Sequence, residues 1–266
     1  MTQVSPAMSG TRVVGGPGSA QVLSGAGIQQ LMRERHFDSD WSSYLWQGQS
    51  LPQTSIATLG DDPVWDVDPG ADGDLGFVAG TGGVRNALRL DTAATDGDQV
   101  ILQAKAAGSI LGEGFDTDRE PYIYVNLGTS SRSAGIHNVR LFVGLKLTGT
   151  DVIVTDADQA MWHYDAASDT TAEVPWHTVT SVAGIDDDRT SGGIVRQNRS
   201  YKLGVFLDRA RRPYYVVNDH IHHIGPAMTD LATIIPMIGV AARGAAAQKI
   251  LFIQKMMVGQ RFEART

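Results

Sequence analysis

From about residue 50 to the C-terminus, the chain is a series of short apolar runs separated by turns rich in glycine and aspartate. Several runs alternate between apolar and polar residues; Tyr201, Leu203, Val205 and Leu207, for example, share one face of an extended segment. No helical repeat intervenes between the runs. The pattern predicts a single all-β domain, an antiparallel sandwich. The predicted strands are residues 75–79, 84–92, 99–106, 121–129, 137–149, 151–156, 159–165, 176–184, 201–208, 213–218, 221–224, 234–242 and 248–259.

The composition supports this prediction and excludes several classes of protein. The chain has 24 Asp and 30 Gly but only 5 Glu and 5 Lys; Asp and Gly favour turns, whereas Glu and Lys favour helices, so this imbalance disfavours a helical protein. The absence of cysteine excludes a disulfide scaffold and a thiolate metal site. The net charge of -7 argues against a nucleic-acid partner, and no apolar run is long enough to predict a membrane span. The N-terminus lacks the pattern of a secretory signal, so we expect synthesis in a cytoplasm without export by the general route.

Residues 1–49 are expected to form a unit separate from the sandwich, which is assigned to residues 50–266. Residues 1–24 are mainly small and uncharged, with Arg12 as the single charged side chain, and cannot bury a core of their own. Residues 27–37 have apolar residues at helical spacing, which predicts a short amphipathic helix. The segment is either a disordered tail or an extended arm that orders on a neighbouring subunit. The residues expected to bind a partner through such an arm are Arg12, Val13, Val14, Ile28 and Leu31.

Residues 201–225 indicate three strands joined by two tight turns. The first turn is the basic sequence RARR at 209–212, and the second is Asn218-Asp219, where both residues tolerate left-handed backbone geometry. A Tyr-led apolar strand, a basic turn and an aromatic returning strand resemble the late strands of the concanavalin A-like jelly roll. This family includes legume lectins, laminarinase-type glucanases and many viral structural domains. The resemblance therefore implies a fold and leaves several functions open.

The sequence lacks a complete set of catalytic residues for the enzymes of this family. Its glucanases place Glu, Asp and Glu at alternating positions of one strand, as acid and nucleophile, whereas no two glutamates here are so close. Jelly-roll polysaccharide lyases combine an Arg-containing strand, a Gln-x-His strand and a Tyr-Lys strand. The sequence GIHNVR at 135–140 and Tyr201-Lys202 match these in part, but Gly135 stands where Gln is required. We predict that the protein is not an enzyme, with a lyase as the enzymatic alternative.

Two groups of residues have metal-ligand chemistry without a complete ligand set. His220 and His222 would share one side of a strand, but a third ligand is not identifiable. The acidic segment at 66–74 is typical either of a calcium loop or of an ordinary turn, and it lacks the glycine and glutamate positions of an EF-hand. We predict no metal and no cofactor. The ligands of the calcium alternative would be Asp66, Asp68, Asp72 and Asp74.

Aromatic residues in the middle of the chain either form a sugar-binding platform or belong to the core. The basic turn at 209–212 is likewise either a solvated hairpin tip or a contact for an acidic surface. The sequence leaves both pairs of alternatives open. The candidate glycan or interface residues are Trp162, His163, Tyr164, Trp176, Arg209, Arg211 and Arg212.

A sandwich with a low-charge arm and no complete catalytic set resembles the jelly-roll structural proteins of tailed bacteriophages. These include capsid decoration (cement) proteins and head or tail fibres. The resemblance implies a virion protein that binds the head shell through its arm and a homotrimer of jelly rolls, and stabilises the shell by binding alone. Its partners would be the major capsid protein or other virion proteins, and further copies of itself. The alternatives are a fibre or lectin-like protein that recognises a host glycan, and a polysaccharide lyase.

Overall fold

The computed structural model describes residues 41–47, 65–68, 74–78, 87–104, 115–129, 136–147, 156–166, 174–243 and 248–261. The predicted arm residues and the predicted helix at 27–37 lie outside this part of the chain. Within it, no helix is long and apolar enough to cross a membrane. The strands are β1 Trp41–Gln47, β2 Trp65–Asp68, β3 Asp74–Val78, β4 Ala87–Asp91, β5 Gln99–Ala104, β6 Phe115–Asp116, β7 Tyr122–Thr129, β8 Val139–Lys146, β9 Gln159–Ala166, β10 Pro175–Val182, β11 Ile185–Ile194, β12 Ser200–Leu207, β13 Pro213–Val217, β14 His220–Ile224, β15 Thr233–Ala242 and β16 Ile250–Arg261. A 3-10 turn, Thr117–Arg119, follows β6.

The strands form two eight-stranded antiparallel sheets that pack face to face. Sheet I has the order β14-β13-β12-β7-β16-β4-β3, with β1 also paired to β16. Sheet II has the order β11-β10-β9-β8-β15-β5-β2, with β6 also paired to β15. The prediction of an all-β antiparallel sandwich is confirmed.

The core lies between the two sheets because one side of nearly every central strand is apolar. In β12, Leu203, Val205 and Leu207 are fully buried in this core, as their alternation in the sequence predicted. In sheet II, β8 contributes Leu141 and Val143 in the same way. The alternation therefore also determines which residues of each strand face outward.

The longest strand, β16, organises sheet I. It pairs along one side with β7, and along the other with β4 near its start and with β1 from Lys255 to Arg261. A β-bulge between Ile253 and Lys255 adjusts its register to β7. Its run of apolar residues is explained by this central position, since Leu251 and Val258 are buried in the main core and Met257 packs on the outer face.

Buried aromatic side chains link the two sheets. Trp162 of β9 donates its indole N–H to the carbonyl oxygen of Gly204 in sheet I at 3.0 Å. Tyr215 of sheet I donates its hydroxyl to the carbonyl oxygen of Val179 in sheet II at 2.8 Å. The two rings meet edge to face, with centroids 5.6 Å apart. These hydrogen bonds satisfy polar groups that would otherwise be buried unpaired, so they hold the sheets in one relative position.

Two segments differ from the sequence-based expectation. The predicted strands leave out 185–194, because Asp186, Asp187 and Asp188 have the composition of a turn, but these residues lie in β11, the edge strand of sheet II. The turn is the preceding pair Ala183-Gly184, whose φ angles of 51° and 80° are left-handed. Acidic residues are compatible with β11 because charge on an edge strand opposes pairing with other chains. Residues 41–47, which were assigned to the arm, form β1 and pair with β16.

The inter-sheet hydrogen bond of Trp162 can be tested by Trp162→Phe. The variant loses the N–H donor and leaves a cavity, so we expect the free energy of unfolding to fall by about 2–4 kcal/mol. Urea denaturation followed by tryptophan fluorescence and far-UV circular dichroism measures the change. Ile185→Ala is the control, because this side chain is 77% exposed and its truncation should change stability by less than about 0.5 kcal/mol. Equal stability of Trp162→Phe and the wild type would contradict the assigned role.

Candidate functional site

The outer face of sheet II carries a group of charged and histidine side chains on neighbouring strands, which we call the polar cluster. Because Trp162 and Tyr164 point into the core, His163 and Asp165 must point outward. The strand register then places Arg140 of β8 opposite Asp165, and His177 of β10 opposite His163. The polar cluster consists of Arg140, His163, Asp165, His177, Asp188 and Arg243.

Asp165 is the centre of the polar cluster. The Arg243 guanidinium donates to both of its carboxylate oxygens, from Nε to Oδ1 at 2.8 Å and from Nη2 to Oδ2 at 2.9 Å. The Nε of Arg140 donates to Oδ2 at 3.4 Å. Bidentate pairing of this kind combines charge with fixed geometry. The carboxylate is therefore held rigidly between two cations, one from β8 and one just after β15.

His163 lies beside this ion pair in an apolar setting. Its strand partner on β8 is Phe142, which is buried together with Met161. Burial lowers the pKa of His163 to about 4, and Arg140 acts in the same direction, whereas Asp165 opposes the shift. Nε2 lies 4.0 Å from the nearer oxygen of Asp165, beyond hydrogen-bond distance, and this buried atom has no hydrogen-bond partner. His163 is thus a neutral imidazole at pH 7.

His177 extends the polar cluster toward the edge of sheet II. Its Nδ1 lies 3.2 Å from Oδ1 of Asp188 on β11, and the Asp188 side chain is 58% exposed. The neighbouring carboxylates of β11 also have partners: Asp186 accepts from Ser181, and Asp187 accepts from Arg189. The polar cluster therefore becomes more exposed from β8 to β11.

The described residues contain no group of three histidine, aspartate or glutamate side chains arranged to hold a metal ion. Of the alternative calcium ligands, Asp66 and Asp68 lie in β2 of sheet II, whereas Asp74 begins β3 of sheet I. Asp72 lies outside the described residues. His223 of β14 lies 3.7 Å from Asp187 of β11 and stacks on Tyr215. It therefore links the edges of the two sheets.

Three of the four predicted platform residues are core residues. Trp162, Tyr164 and Trp176 have no exposed surface, and the Tyr164 hydroxyl donates to the Ile136 carbonyl at 2.6 Å. The glycan-platform alternative is therefore wrong for these rings, and the core alternative is correct. They alternate with outward-facing residues, so the same strand that buries Trp162 in the core turns His163 toward the outer face of sheet II. Of the four, His163 alone lies on an outer face.

The basic turn is built from internal ion pairs. Arg212 donates from Nη2 to Asp208 at 2.8 Å, and Asp208 also accepts from the turn's own backbone N–H groups. Arg211 pairs with Asp230 at 3.0 Å, and Arg209 approaches Glu120 at 3.7 Å. Each of the three arginines of the turn therefore has a carboxylate of the same chain as its partner.

The residues that resembled a lyase set do not form a site around Tyr201. Its side chain is buried in the core, and its hydroxyl accepts from the backbone N–H of Arg196 at 2.7 Å. His137 lies in the turn before β8, where its carbonyl oxygen accepts from Lys249 Nζ at 2.7 Å. Arg140 is the one member of the predicted set that lies in the polar cluster.

Comparison with solved structures identifies the fold. A protein of unknown function from Shewanella oneidensis MR-1 superposes with a TM-score of 0.60 at 11% sequence identity, over 93% of this chain and 98% of that chain. Peanut lectin superposes with a TM-score of 0.52 at 9% identity, over 83% and 97% of the two chains. The β-glucanase of Bacillus licheniformis gives 0.50 at 8% identity, over 82% and 97%. The fold is the concanavalin A-like jelly roll.

Sequence comparison adds no family to this result. No model of a known protein family matches the chain, and no curated protein matches it. At these identities the structural likeness establishes the jelly roll alone, because lectins and glycosidases share it. The function must be inferred from the polar cluster and the surfaces of the jelly roll.

The burial of His163 predicts a pH-dependent stability. Its pKa is about 4 in the folded jelly roll, compared with 6.5 for an unperturbed histidine. The resulting stabilisation is complete above pH 6.5 and is lost as the pH falls toward 4, with a total of about 3 kcal/mol. Urea denaturation at pH 7 and pH 4 should show this loss in the wild type and a smaller loss in His163→Gln. His220→Gln is the control, since it removes an exposed imidazole. An unchanged pH dependence in His163→Gln would contradict the assignment.

Proposed function

We propose that this jelly roll is a non-catalytic binding protein of a tailed-bacteriophage virion, in the role of a capsid decoration protein. The observation that carries the non-catalytic part is the clamping of Asp165 by Arg243 and Arg140. A glycosidase needs one carboxyl group to donate a proton and another to act as nucleophile or base across an open gap. Both oxygens of Asp165 already accept hydrogen bonds from guanidinium groups, so this carboxylate is poorly placed to act on a glycosidic bond.

The carboxylates of β11 also have partners. Asp188 has His177 as its partner and Asp186 accepts from Ser181, whereas Asp187 faces the edge of sheet I and accepts from Arg189. Neutral His163 could accept a proton, but the arginine groups beside it are already engaged by Asp165. A lyase would need such a cation for the substrate carboxylate. Fixed ion pairs on a rigid sheet are suited to recognition of a surface.

The virion assignment combines this rigid sheet with the composition of the N-terminal segment. Residues 1–24 carry one charged side chain, Arg12, and their small, uncharged composition cannot supply a core of its own. A jelly roll that binds a repeated shell through an arm gains affinity when several copies engage the lattice together. The partners in this proposal are the major capsid protein and further copies of the chain.

The capsid assignment predicts that the chain is part of the purified virion. Mass spectrometry of purified particles of the phage that carries the gene should detect the chain at a fixed ratio to the shell protein. Recombinant chain added to particles that lack it should co-sediment with saturating stoichiometry, and deletion of residues 1–24 should weaken binding at least about tenfold. Far-UV circular dichroism confirms that the deletion leaves the sandwich folded. Absence from particles, or unchanged affinity of the shortened chain, would contradict the proposal.

Glycan recognition by the polar cluster is the second candidate function. It is favoured by the position of His163, Asp165 and two arginines together on the outer face of sheet II, where their side chains are 16–38% exposed. Such a set can accept and donate hydrogen bonds to the hydroxyl groups of a sugar. In this alternative the protein is a fibre or receptor-recognition component that holds a host glycan.

A glycan array with fluorescently labelled chain tests this second function. We expect a restricted set of glycans to bind, and we expect His163→Gln to lower their apparent affinity at least about tenfold, because the imidazole acceptor is removed. His220→Gln keeps the wild-type pattern, because this residue lies on β14 of sheet I. Absence of binding to any glycan, or equal binding by His163→Gln, would exclude the polar cluster as a sugar site.

A further inference from the structure

Strand β11 is an edge of sheet II and pairs on one side only. Its partner is β10, and the pairing is regular from Ile185 to Thr190, before an irregularity toward Pro175. No backbone hydrogen bond from another described element reaches Ile185 to Arg189. In an antiparallel ladder, alternate residues turn their N–H and C=O groups away from the partner strand. The free side of β11 can therefore pair with a further strand.

β11 is also the longest such edge in the described part of the chain. It has ten residues. The other strands that pair on one side only have seven residues in β1, five in β3 and β14, four in β2 and two in β6. The side chains of Asp188 and Arg189 in β11 are 58% and 57% exposed, so the rest of the chain does not cover this edge.

The outer face of β11 carries two carboxylates. The register places Asp186 beside Ser181 and Asp188 beside Val179, on the same face as His177. Asp186 accepts from the Ser181 hydroxyl, and Asp188 lies 3.2 Å from Nδ1 of His177. Among the described residues, neither carboxylate pairs with a lysine or an arginine. This face of the edge therefore carries negative charge that no lysine or arginine of the described chain offsets.

The opposite face of β11 has a different character. The Nε of Arg189 donates to both oxygens of Asp187, at 2.9 and 3.1 Å, so these two charges offset each other. Ile185 lies on the same face of the strand and is 77% exposed. The two faces of the edge thus differ in what they can contact, since one is acidic and the other combines an internal ion pair with an apolar side chain.

The charges determine which kind of strand can pair with this edge. Directly opposite side chains of paired strands lie about 4.5–5.5 Å apart, where opposite charges stabilise the pair and like charges destabilise it. A second β11 in parallel register would place each aspartate beside its equivalent, and antiparallel pairing centred on Asp187 or Asp188 would also bring aspartates together. A strand with a lysine or arginine at every second position would instead place cations beside Asp186 and Asp188.

We propose that the free edge of β11 binds an extended segment of another protein in which basic residues alternate with apolar ones. The segment adds to sheet II as a further strand, so backbone hydrogen bonds hold it in place. Its basic side chains lie beside Asp186 and Asp188, and its apolar side chains lie on the face of Ile185. The aspartates that oppose pairing with a second copy thus select a basic partner. This inference depends neither on a role in a virion nor on glycan recognition.

Fluorescence anisotropy with a labelled peptide tests the edge. The probe is the peptide TKVKVKT, in which lysine and valine alternate. The matched control is TKKKVVT, which has the same composition and charge without the alternation. We expect TKVKVKT to bind at least about tenfold more tightly, because only the alternating sequence presents all of its lysines to one face of β11. Absence of binding by TKVKVKT, or equal affinity of the two peptides, would overturn the proposal.

Protein variants and hydrogen exchange locate the bound peptide. Asp186→Asn combined with Asp188→Asn should weaken binding of TKVKVKT at least about fivefold, because two cross-strand charge pairs are lost. Asp96→Asn is the control, since it removes an exposed carboxylate between β4 and β5. Far-UV circular dichroism checks that the variants fold. The peptide should slow amide exchange at 185–190 and leave 220–224 unchanged. Full affinity of the double variant, or protection confined to other strands, would refute the proposal.

Discussion

The hydrogen-bonded contact between Trp162 and Gly204 constrains the two sheets and, through them, the outer surface. Because the indole N–H must reach a carbonyl in sheet I, Trp162 can point only inward. A strand alternates its side chains, so this requirement sends His163 and Asp165 to the opposite face. The edge-to-face contact with Tyr215 adds to the same constraint, since that ring is itself bonded to sheet II. Core packing and surface chemistry are therefore two results of a single strand orientation.

Much of the architecture was predictable because apolar alternation is a local property. The strands around Leu203 and the buried character of β16 followed from periodicity alone. The edge strand β11 was missed because three successive aspartates have the composition of a turn. These aspartates lie in a strand because β11 pairs with β10, and this pairing cannot be read from the local sequence. Its flanking turn, Ala183-Gly184, was the available signal.

The candidate site was only partly predictable, for a related reason. His163 was selected with its aromatic neighbours, but the sequence could not decide which residues of the strand face outward. Arg140 and Arg243 lie 25 and 78 residues from Asp165, and only the order of strands brings them to it. Strand order and register bring such residues together. The sequence therefore shows which charged residues are present, but not which of them meet in the polar cluster.

The pairing of β1 with the end of β16 has a mechanical consequence. Trp41, the first residue of β1, pairs with Arg261, the last residue of β16, so the start of one strand and the end of the other lie side by side. Tension applied between these two residues breaks the seven β1–β16 residue pairs one after another, starting from Trp41 and Arg261. It does not act on all seven pairs at once, as shear along the strands would. If the protein is held by its N-terminal segment and pulled from its C-terminus, β1 would detach from β16 at low force and the protein would lengthen. The other strands of the sandwich would stay paired during this first extension.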